Sequence, residues 1–259
     1  MAENSRISWC DHTHNEWLGC QRLSPACDGC YAAVLVADRF GRVIWGEKGA
    51  GAGTRVLTSV ANRQKPHTWD RKAAANGTRP FVFSLSLGDV FDNQVDPEWR
   101  AQLFTRARAT PHLIWLFLTK RPQNAIKMTE AAGPWPPNAW LGATMEDRER
   151  VLTNAFALLE AGHRLRVPLL FASCEPLLED IADLIGPWIG PPGSTGISWV
   201  LCGGETSQGH HRARFMDPAW ARNLRDATRH QGGWFHLKQM TERGEIPADL
   251  QIRERPYVH

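Results

Sequence analysis

The chain has 259 residues, of which 42% are hydrophobic and 22% charged, and its formal net charge is +3. A chain of this size and composition buries a core without needing disulfides or a structural metal. No apolar stretch approaches the roughly 18 residues of a membrane span, and the N-terminus lacks the basic start and apolar run of a signal peptide. We therefore expect a protein of the reducing cytoplasm without membrane association, where clustered cysteines are metal ligands or catalytic thiols more often than disulfides.

The first eighty residues are expected to hold few regular elements. We predict a short strand near 16–18 and a helix at about 31–40. Segment 41–80 carries eight Lys or Arg against two acids, and we predict that it is a basic loop or insert within a single domain of residues 1–259. The basic side chains of such a segment either bind phosphate groups or are simply exposed to solvent, and both interpretations stay open.

From Pro80 onward, short β-rich runs alternate with helical segments. The predicted strands are 81–87, 112–118, 139–144, 167–173, 198–202 and 234–238. The predicted helices include 97–109, 146–161 and 217–231. This alternation predicts βαβ units and a parallel sheet. With the early strand, about seven units indicate an α/β fold that is a full or partial (β/α) barrel, and a doubly wound open sheet is the alternative.

The helical segments carry signals for their ends and faces. Asp217 is a predicted N-cap, Pro218 stands at the first helical position, and Gly232 is expected to end that helix. In 146–161, five apolar residues at helical spacing predict one buried face. They are Val151, Leu152, Ala155, Phe156 and Leu159.

Small or polar residues leading to a charge stand at several strand ends. Ligands bind at the carboxyl ends of strands in parallel α/β sheets, so these residues predict one polar site built from many strands. A single acid at such a place is also common as a helix start, but the recurrence favours a site. The candidates are Ser86, Asp89, Thr119, Lys120, Arg121, Thr144, Glu146, Cys174, Glu175, Glu205 and Lys238.

The sharpest motif is a run of three cysteines with the spacing C-x6-C-x2-C, at Cys20, Cys27 and Cys30. Its last cysteine abuts a predicted helix start, whose free N–H groups favour negative charge. Structural zinc sites use four ligands and cubane clusters normally take four cysteines, so three cysteines leave one iron open. An open iron can bind S-adenosylmethionine (SAM), whose reductive cleavage gives a radical that abstracts hydrogen. We therefore predict a 4Fe–4S cluster on these three metal ligands.

The remaining cysteines leave alternatives open. Cys10, His12 and His14 lie upstream, and they can form a zinc knuckle with one or two of the three clustered cysteines. Cys174 and Cys202 are typical of small buried residues. Because Cys174 precedes Glu175 at a predicted strand end, its thiol is also a candidate hydrogen-atom donor to a substrate radical.

Eight blocks, in order along nearly the whole chain, carry a family resemblance. They are Trp17-Leu-Gly-Cys20, Ser24-Pro-Ala-Cys27-Asp-Gly-Cys30-Tyr31-Ala32, Ser84-Leu-Ser-Leu-Gly-Asp89-Val-Phe91, Leu118-Thr-Lys-Arg-Pro122, Gly142-Ala-Thr-Met-Glu-Asp147, Glu175-Pro-Leu-Leu178, Gly203-Gly-Glu205 and Phe235-His-Leu-Lys-Gln239. Through them the chain resembles the phage-associated three-cysteine family of radical-SAM-like proteins. The resemblance implies a partial (β/α) barrel of the radical SAM type, with the metal site at the C-terminal ends of the strands. The first cysteine gap is longer than the superfamily's usual C-x3-C-x2-C.

The resemblance also implies cofactor-binding residues. Tyr31 matches the aromatic residue that follows the last cysteine and lies near the adenine of SAM. Ser86 and Asp89 match the strand that meets the methionine amino group, and Thr144 and Glu146 match the strand that meets the ribose.

The resulting hypothesis is a radical SAM enzyme, an isomerase, lyase or transferase, with Cys174, Glu175, Glu205 and Lys238 as catalytic candidates. The family's phage company and the basic runs 41–80 and 210–214 favour a nucleic acid or nucleotide substrate, such as a DNA base that is modified, rearranged or repaired. A peptide is the alternative substrate. An external, flavodoxin-like electron donor is expected, because no second cluster motif is evident. The alternative function is a zinc-stabilised nucleic-acid-binding protein without turnover.

Overall fold

The fold was analysed in a computed structural model that describes residues 2–48 and 51–256. The strands are β1 (His12–His14), β2 (Trp17–Leu18), β3 (Val56–Leu57), β4 (Phe81–Ser84), β5 (Ile114–Thr119), β6 (Ala139–Thr144), β7 (Leu170–Cys174), β8 (Ile197–Cys202) and β9 (Trp234–Leu237). The α-helices are α1 (Tyr31–Ala33), α2 (Val60–Asn76), α3 (Pro97–Arg108), α4 (Ala125–Ala132), α5 (Arg148–Leu165), α6 (Ala182–Ile185) and α7 (Pro218–His230). A π-helical segment, Val34–Arg39, continues α1, and 3-10 turns lie at Pro25–Cys27, Pro122–Asn124, Gly186–Trp188, Thr241–Arg243 and Ala248–Leu250. Within this part of the chain, no helix is both long and apolar enough to cross a bilayer.

Seven strands form one parallel sheet, in the order β1-β4-β5-β6-β7-β8-β9. The spatial order follows the chain order without reversal, which confirms the α/β barrel prediction and rules out a doubly wound sheet. Among the described residues, β9 does not pair with β1, so the sheet curls into a partial barrel. All carboxyl ends of these strands therefore meet at one end of the molecule.

The inside of the curled sheet is filled by aromatic side chains. Trp9 from the N-terminal segment packs on Phe83 with ring centroids 4.5 Å apart, and Trp199 lies edge-on to it at 6.5 Å. Phe81, Trp140 and other strand residues complete this cluster. Large aromatic rings therefore fill the interior of the partial barrel, and they account for part of the chain's twelve tryptophans.

The two chain ends close the gap between the first and last strands. The Ser8 hydroxyl lies 2.8 Å from Nε2 of His236 on β9. Asp11, which precedes β1, forms a bidentate ion pair with Arg255 at 3.1 and 2.8 Å. These contacts hold the N-terminal segment against the last strand of the sheet and the C-terminal segment.

Two predictions about the first eighty residues were wrong. The first strand of the parallel sheet is β1, whose His-Thr-His sequence gave no β signal, whereas β2 pairs antiparallel with β3 outside the main sheet. Segment 41–80 is not a loop, because it contains the seventeen-residue helix α2. This helix starts at an N-cap, Ser59, and ends at Gly77 with φ +63°, but an internal proline and a polar sequence hid its period.

Helix α5 buries a different face from the predicted one. Val151 and Ala155 are buried as expected, but Leu152 and Phe156 are 71% and 63% exposed. The inward face carries Asn154, whose amide donates to the Thr144 carbonyl at 2.9 Å. This hydrogen bond holds Asn154 against the sheet, so the apolar side chains of Leu152 and Phe156 on the same helix face solvent. The helix α7 prediction is confirmed, since the Asp217 carboxylate accepts the backbone N–H of Ala219.

Candidate cofactor and active site

A cavity of about 910 Å³ opens at the carboxyl ends of the strands. This is the place where parallel α/β folds bind ligands. Of the predicted site residues, twelve line it: Cys20, Cys27, Cys30, Tyr31, Ser86, Asp89, Thr119, Lys120, Thr144, Glu175, Glu205 and Lys238. Arg121, Glu146 and Cys174 do not line it. The structure therefore brings together residues from seven separate chain segments, as the strand-end pattern predicted.

The cysteine loop is held by contacts along its backbone. The Arg22 guanidinium donates to the Cys27 carbonyl and, at 3.3 Å, to the Asp28 carbonyl. The backbone N–H of Leu23 lies 3.4 Å from the Cys27 sulfur. Cys30 occupies the N-cap position of α1, where the nearby backbone N–H groups of Ala33 and Ala32 favour negative charge on its sulfur. The loop thus presents its last two thiols toward backbone donors.

A partly buried lysine, Lys120, lies within electrostatic range of those two thiols. Burial raises the pKa of the Cys30 thiol in the metal-free protein. Burial works against the charged form of Lys120, yet the nearby Glu146, Cys27 and Cys30 raise the pKa of its ammonium. This cation favours thiolate over thiol at Cys30. The sequence predicted Lys120 only as a charged residue at a strand end. Its electrostatic interaction with the cysteines became evident only in the folded structure.

Cys20 is held by a different cation. Burial raises the pKa of Cys20 to about 12, against the opposing charge of Arg121. The Arg121 guanidinium lies 3.6 Å from the Cys20 sulfur and 3.1 Å from Oδ2 of Asp89. Asp89 also accepts hydrogen bonds from the Thr119 hydroxyl (2.7 Å) and the Lys120 backbone (2.9 Å). The carboxylate predicted to meet the methionine amino group is therefore engaged in fixing the end of β5.

Glu205 is engaged in the same way. Its carboxylate pairs with Arg214 at 2.6 Å and lies 3.0 Å from Nε2 of His211. Although burial opposes it, these donors hold the pKa of Glu205 to about 2. A Cβ on Gly29 would lie only 2.9 Å from this carboxylate, so the loop can approach it only through a glycine.

Arg214 links this carboxylate to the cysteine loop. Its guanidinium donates to the Pro25 carbonyl at 2.8 Å and reaches Asp28 at 3.3 Å. In the sequence, Arg214 was only part of a basic run assigned to nucleic acid. Nothing in the local sequence shows that it acts as a clamp between Glu205 and the loop.

Two further pairs face the cavity. Lys238, after β9, forms an ion pair with Glu175, after β7, across the Gly203 backbone. The Tyr31 hydroxyl donates to the Ser86 carbonyl at 2.6 Å, while the residue stays 44% exposed. Glu175 and Lys238 together offer the cavity one acceptor and one donor, and the Tyr31 ring offers it an apolar face.

Glu146 and Cys174 lie beneath the cavity. Glu146 is fully buried, and its Oε1 accepts the Ala26 backbone N–H at 3.4 Å, whereas its Oε2 has no hydrogen-bond partner among the described residues. Cys174 is fully buried in the core between sheet and helices, and burial raises the pKa of its thiol. This position separates the Cys174 thiol from the other catalytic candidates.

The upstream histidines of the zinc alternative lie elsewhere. The His12 ring stacks on Trp69 with centroids 4.5 Å apart. His14 is fully buried and lies 3.0 Å from Glu16, which Arg106 also binds. Cys10 is buried, and burial raises the pKa of its thiol to about 11. None of these three residues lines the cavity.

The donor set fits a three-thiolate iron–sulfur cluster by type and by place. Three cysteines on one loop line a single cavity, and Lys120 and Arg121 supply positive charge beside them. Across the described residues, no three His, Cys, Asp or Glu side chains are already gathered at metal-binding distance. The orphaned Oε2 of Glu146 next to the loop is a further polar atom left for a ligand.

Solved structures share this fold. Three variants of spore photoproduct lyase match with TM-scores of 0.50, 0.52 and 0.53, each at 10% sequence identity. The matches cover 89%, 90% and 92% of this chain and 64%, 78% and 78% of those chains. The first of them was solved with bound AdoMet and dinucleoside spore photoproduct. This likeness confirms the predicted partial (β/α) barrel fold.

Sequence comparisons place the chain in a family. No curated protein sequence matches it significantly. A family model described as "Protein of unknown function (DUF5131)" matches residues 4–253, which is nearly the whole chain. The protein therefore belongs to the DUF5131 family.

Proposed function

We propose that this protein is a radical SAM enzyme that holds a 4Fe–4S cluster on Cys20, Cys27 and Cys30 and binds SAM in the same cavity. The observation that carries the proposal is the three-cysteine loop, set with its two cations at the carboxyl ends of a partial barrel. The cluster and SAM together supply one-electron chemistry that removes a hydrogen atom from an unactivated C–H bond.

The chain's own residues prepare the ligands. Lys120 beside Cys30, and Arg121 beside Cys20, favour the thiolate forms that bind iron. The clamp through Arg214 holds the loop backbone against Glu205, so the loop is ordered before any cofactor enters. Ordering the ligands in advance reduces the entropy cost of binding.

Other residues shape the rest of the cavity. The exposed ring of Tyr31 suits an adenine, and Thr144, which lines the cavity, suits a ribose hydroxyl. Glu146 is buried outside the cavity lining, so it is not assigned to the ribose. The aromatic cluster that includes Trp9 and Phe83 makes one part of the cavity wall apolar and excludes water there. The ion pair of Glu175 and Lys238 can bind a polar substrate group and hold a proton beside it. Asp89 and Glu205 position neighbouring residues in this proposal, and Cys174 has no role.

For the substrate we propose a base of a nucleic acid, which is modified, rearranged or repaired by an isomerase, lyase or transferase reaction. The support is the likeness in fold to a lyase solved with a dinucleoside spore photoproduct. We further propose a flavodoxin-like electron donor, a cytoplasmic location and a phage association. The zinc-binding alternative is not favoured, because His12 and His14 lie away from the cysteine loop.

The decisive experiment is anaerobic reconstitution with iron and sulfide, followed by dithionite and SAM. We expect about four iron per chain and release of 5′-deoxyadenosine. Cys20→Ala, Cys27→Ala and Cys30→Ala should each lose the cluster, while Cys10→Ala, a buried cysteine outside the loop, keeps it. One tightly held zinc without SAM cleavage would disprove the proposal.

A further inference from the structure

The cavity carries more positive charge than its own acids neutralise. Three acids line it, and each has a cationic partner: Asp89 with Arg121, Glu175 with Lys238 and Glu205 with Arg214. Four more arginines line the same cavity, and we call them the mouth arginines. They are Arg6, Arg39, Arg243 and Arg253. All four are exposed, and within residues 2–48 and 51–256 their guanidinium groups make no hydrogen bond or ion pair.

The mouth arginines stay unpaired although acids stand next to three of them. Glu254 follows Arg253, yet its carboxylate binds Arg229 at 2.6 Å and the Phe235 backbone at 2.8 Å. Glu242 precedes Arg243, yet its carboxylate is bound to Ser207. Asp38 precedes Arg39 but does not line the cavity. Two of the three neighbouring carboxylates are thus bound to other residues and none of the three lines the cavity, so the cavity keeps its positive charge.

The backbone at Arg243 is strained. Glu242 has φ 55° and Arg243 has φ 59°, a region that residues other than glycine rarely adopt. Such a conformation costs on the order of 1 kcal/mol per residue and is found mostly at functional positions. The Glu205 carbonyl accepts the Glu242 backbone N–H at 2.8 Å and helps to hold the turn. In this strained turn Arg243 lines the cavity while Glu242 does not.

We propose that the mouth arginines bind the phosphodiester backbone of a single nucleic-acid strand and so present one nucleotide to the cavity. The proposal rests on the proposed function for the identity of the reacting site, and it adds how the substrate is held. Guanidinium groups bind phosphate oxygens through paired hydrogen bonds. Four of them, from three separated parts of the chain, match a run of phosphates better than a single anion.

The shape of the cavity favours an unpaired strand. A base reaches a recessed site only after leaving its stack, which costs a few kcal/mol in a duplex and much less in a single strand. Tyr31 and Trp45 line the cavity and offer rings on which a base can stack.

The test is binding of a fluorescein-labelled oligothymidine of about twelve nucleotides, followed by anisotropy over a range of salt concentrations. The anaerobically purified full chain is compared with Arg243→Gln/Arg253→Gln. The matched control is Arg164→Gln/Arg166→Gln, which removes the same charge from exposed residues at the opposite end of the barrel. We expect the mouth variant to bind about tenfold more weakly and to lower the slope of log K against log salt by about one to two. The control should stay within about twofold of the wild type. Equal weakening in both variants, or none in the mouth variant, overturns the proposal.

Two competitors define the ligand class. If thymidine monophosphate competes as well as the oligonucleotide at equal phosphate concentration, or if a duplex of the same length binds more tightly, the single-strand proposal is overturned. The assay contains no SAM, so its outcome is separate from that of the proposed function. Strand binding without any SAM cleavage would disprove only the enzyme class, whereas SAM cleavage with unchanged binding by the mouth variant would disprove only this inference.

Discussion

Arg214 pairs with Glu205 at 2.6 Å and, from the same guanidinium, reaches the Pro25 carbonyl of the cysteine loop at 2.8 Å. Glu205 is only 5% exposed, so its charge needs this partner. The run Gly203-Gly-Glu205 thus contacts the cysteine loop through a second residue, Arg214.

Breaking this clamp should loosen the loop. We expect Arg214→Gln to lower the free energy of unfolding by about 2 kcal/mol, because it leaves a buried carboxylate without its ion pair. In protein without iron, Cys27 and Cys30 should be alkylated faster, as measured by mass spectrometry. Arg212→Gln, at an exposed neighbouring arginine, is the control and should change neither quantity. Unchanged alkylation in Arg214→Gln would contradict the clamp.

Asp89 should prove to be coupled to Arg121. Asp89→Asn keeps one acceptor oxygen for Thr119 but loses the ion pair, so the protein should become less stable by about 1 to 3 kcal/mol. A double-mutant cycle with Arg121→Gln, measured by urea unfolding, should give a coupling of about 1 to 3 kcal/mol. If Asp89 instead contacts SAM, Asp89→Asn will weaken SAM binding while leaving stability and the cycle unaffected.

His236 should make the protein sensitive to acid. Burial lowers the pKa of His236 to about 4, whereas an unfolded histidine titrates near its ordinary value of 6.5. The unfolded state therefore takes up a proton first, so the stabilisation is complete above about pH 6.5 and is lost as the pH falls toward 4. The loss should reach about 3 kcal/mol at most, since each pKa unit corresponds to about 1.4 kcal/mol.

The measurement is urea unfolding at a series of pH values. His236→Gln should flatten the curve between pH 6.5 and 4, because the titrating ring is gone. His163→Gln, at an exposed position on α5, should retain the wild-type curve. Parallel curves for wild type and His236→Gln would refute the assignment.

The inward face of α5 can be tested with two leucines on the same helix. Leu158 is fully buried and Leu152 is 71% exposed. Leu158→Ala should cost about 2 to 5 kcal/mol through lost burial and a cavity, whereas Leu152→Ala should stay within about 0.5 kcal/mol. Comparable losses at both positions would mean that the helix buries its apolar stripe after all.

The sequence by itself determined the order of the parallel strands from β4 onward, the helix ends at Asp217 and Gly232, and the three-cysteine loop. These features are local, because alternating hydrophobic runs, caps and ligand spacing depend on residues close together in the chain. The sequence also predicted many of the residues that line the cavity, because parallel strands bring their carboxyl ends to one side of the sheet.

Only the tertiary structure decided what those residues do there. Whether Asp89 and Glu205 are free depends on Arg121 and Arg214, which come from other parts of the chain, so no local signal reveals these pairings. The first strand, β1, carries two histidines, and it lies in the sheet because its neighbours bury it rather than because its own sequence favours a strand. Likewise, Leu152 faces solvent because Asn154 finds a carbonyl on β6. Whether a side chain is buried or paired depends on residues that are distant in the chain. The sequence therefore identified the candidate site residues, whereas the contacts between distant segments determined which of them are engaged.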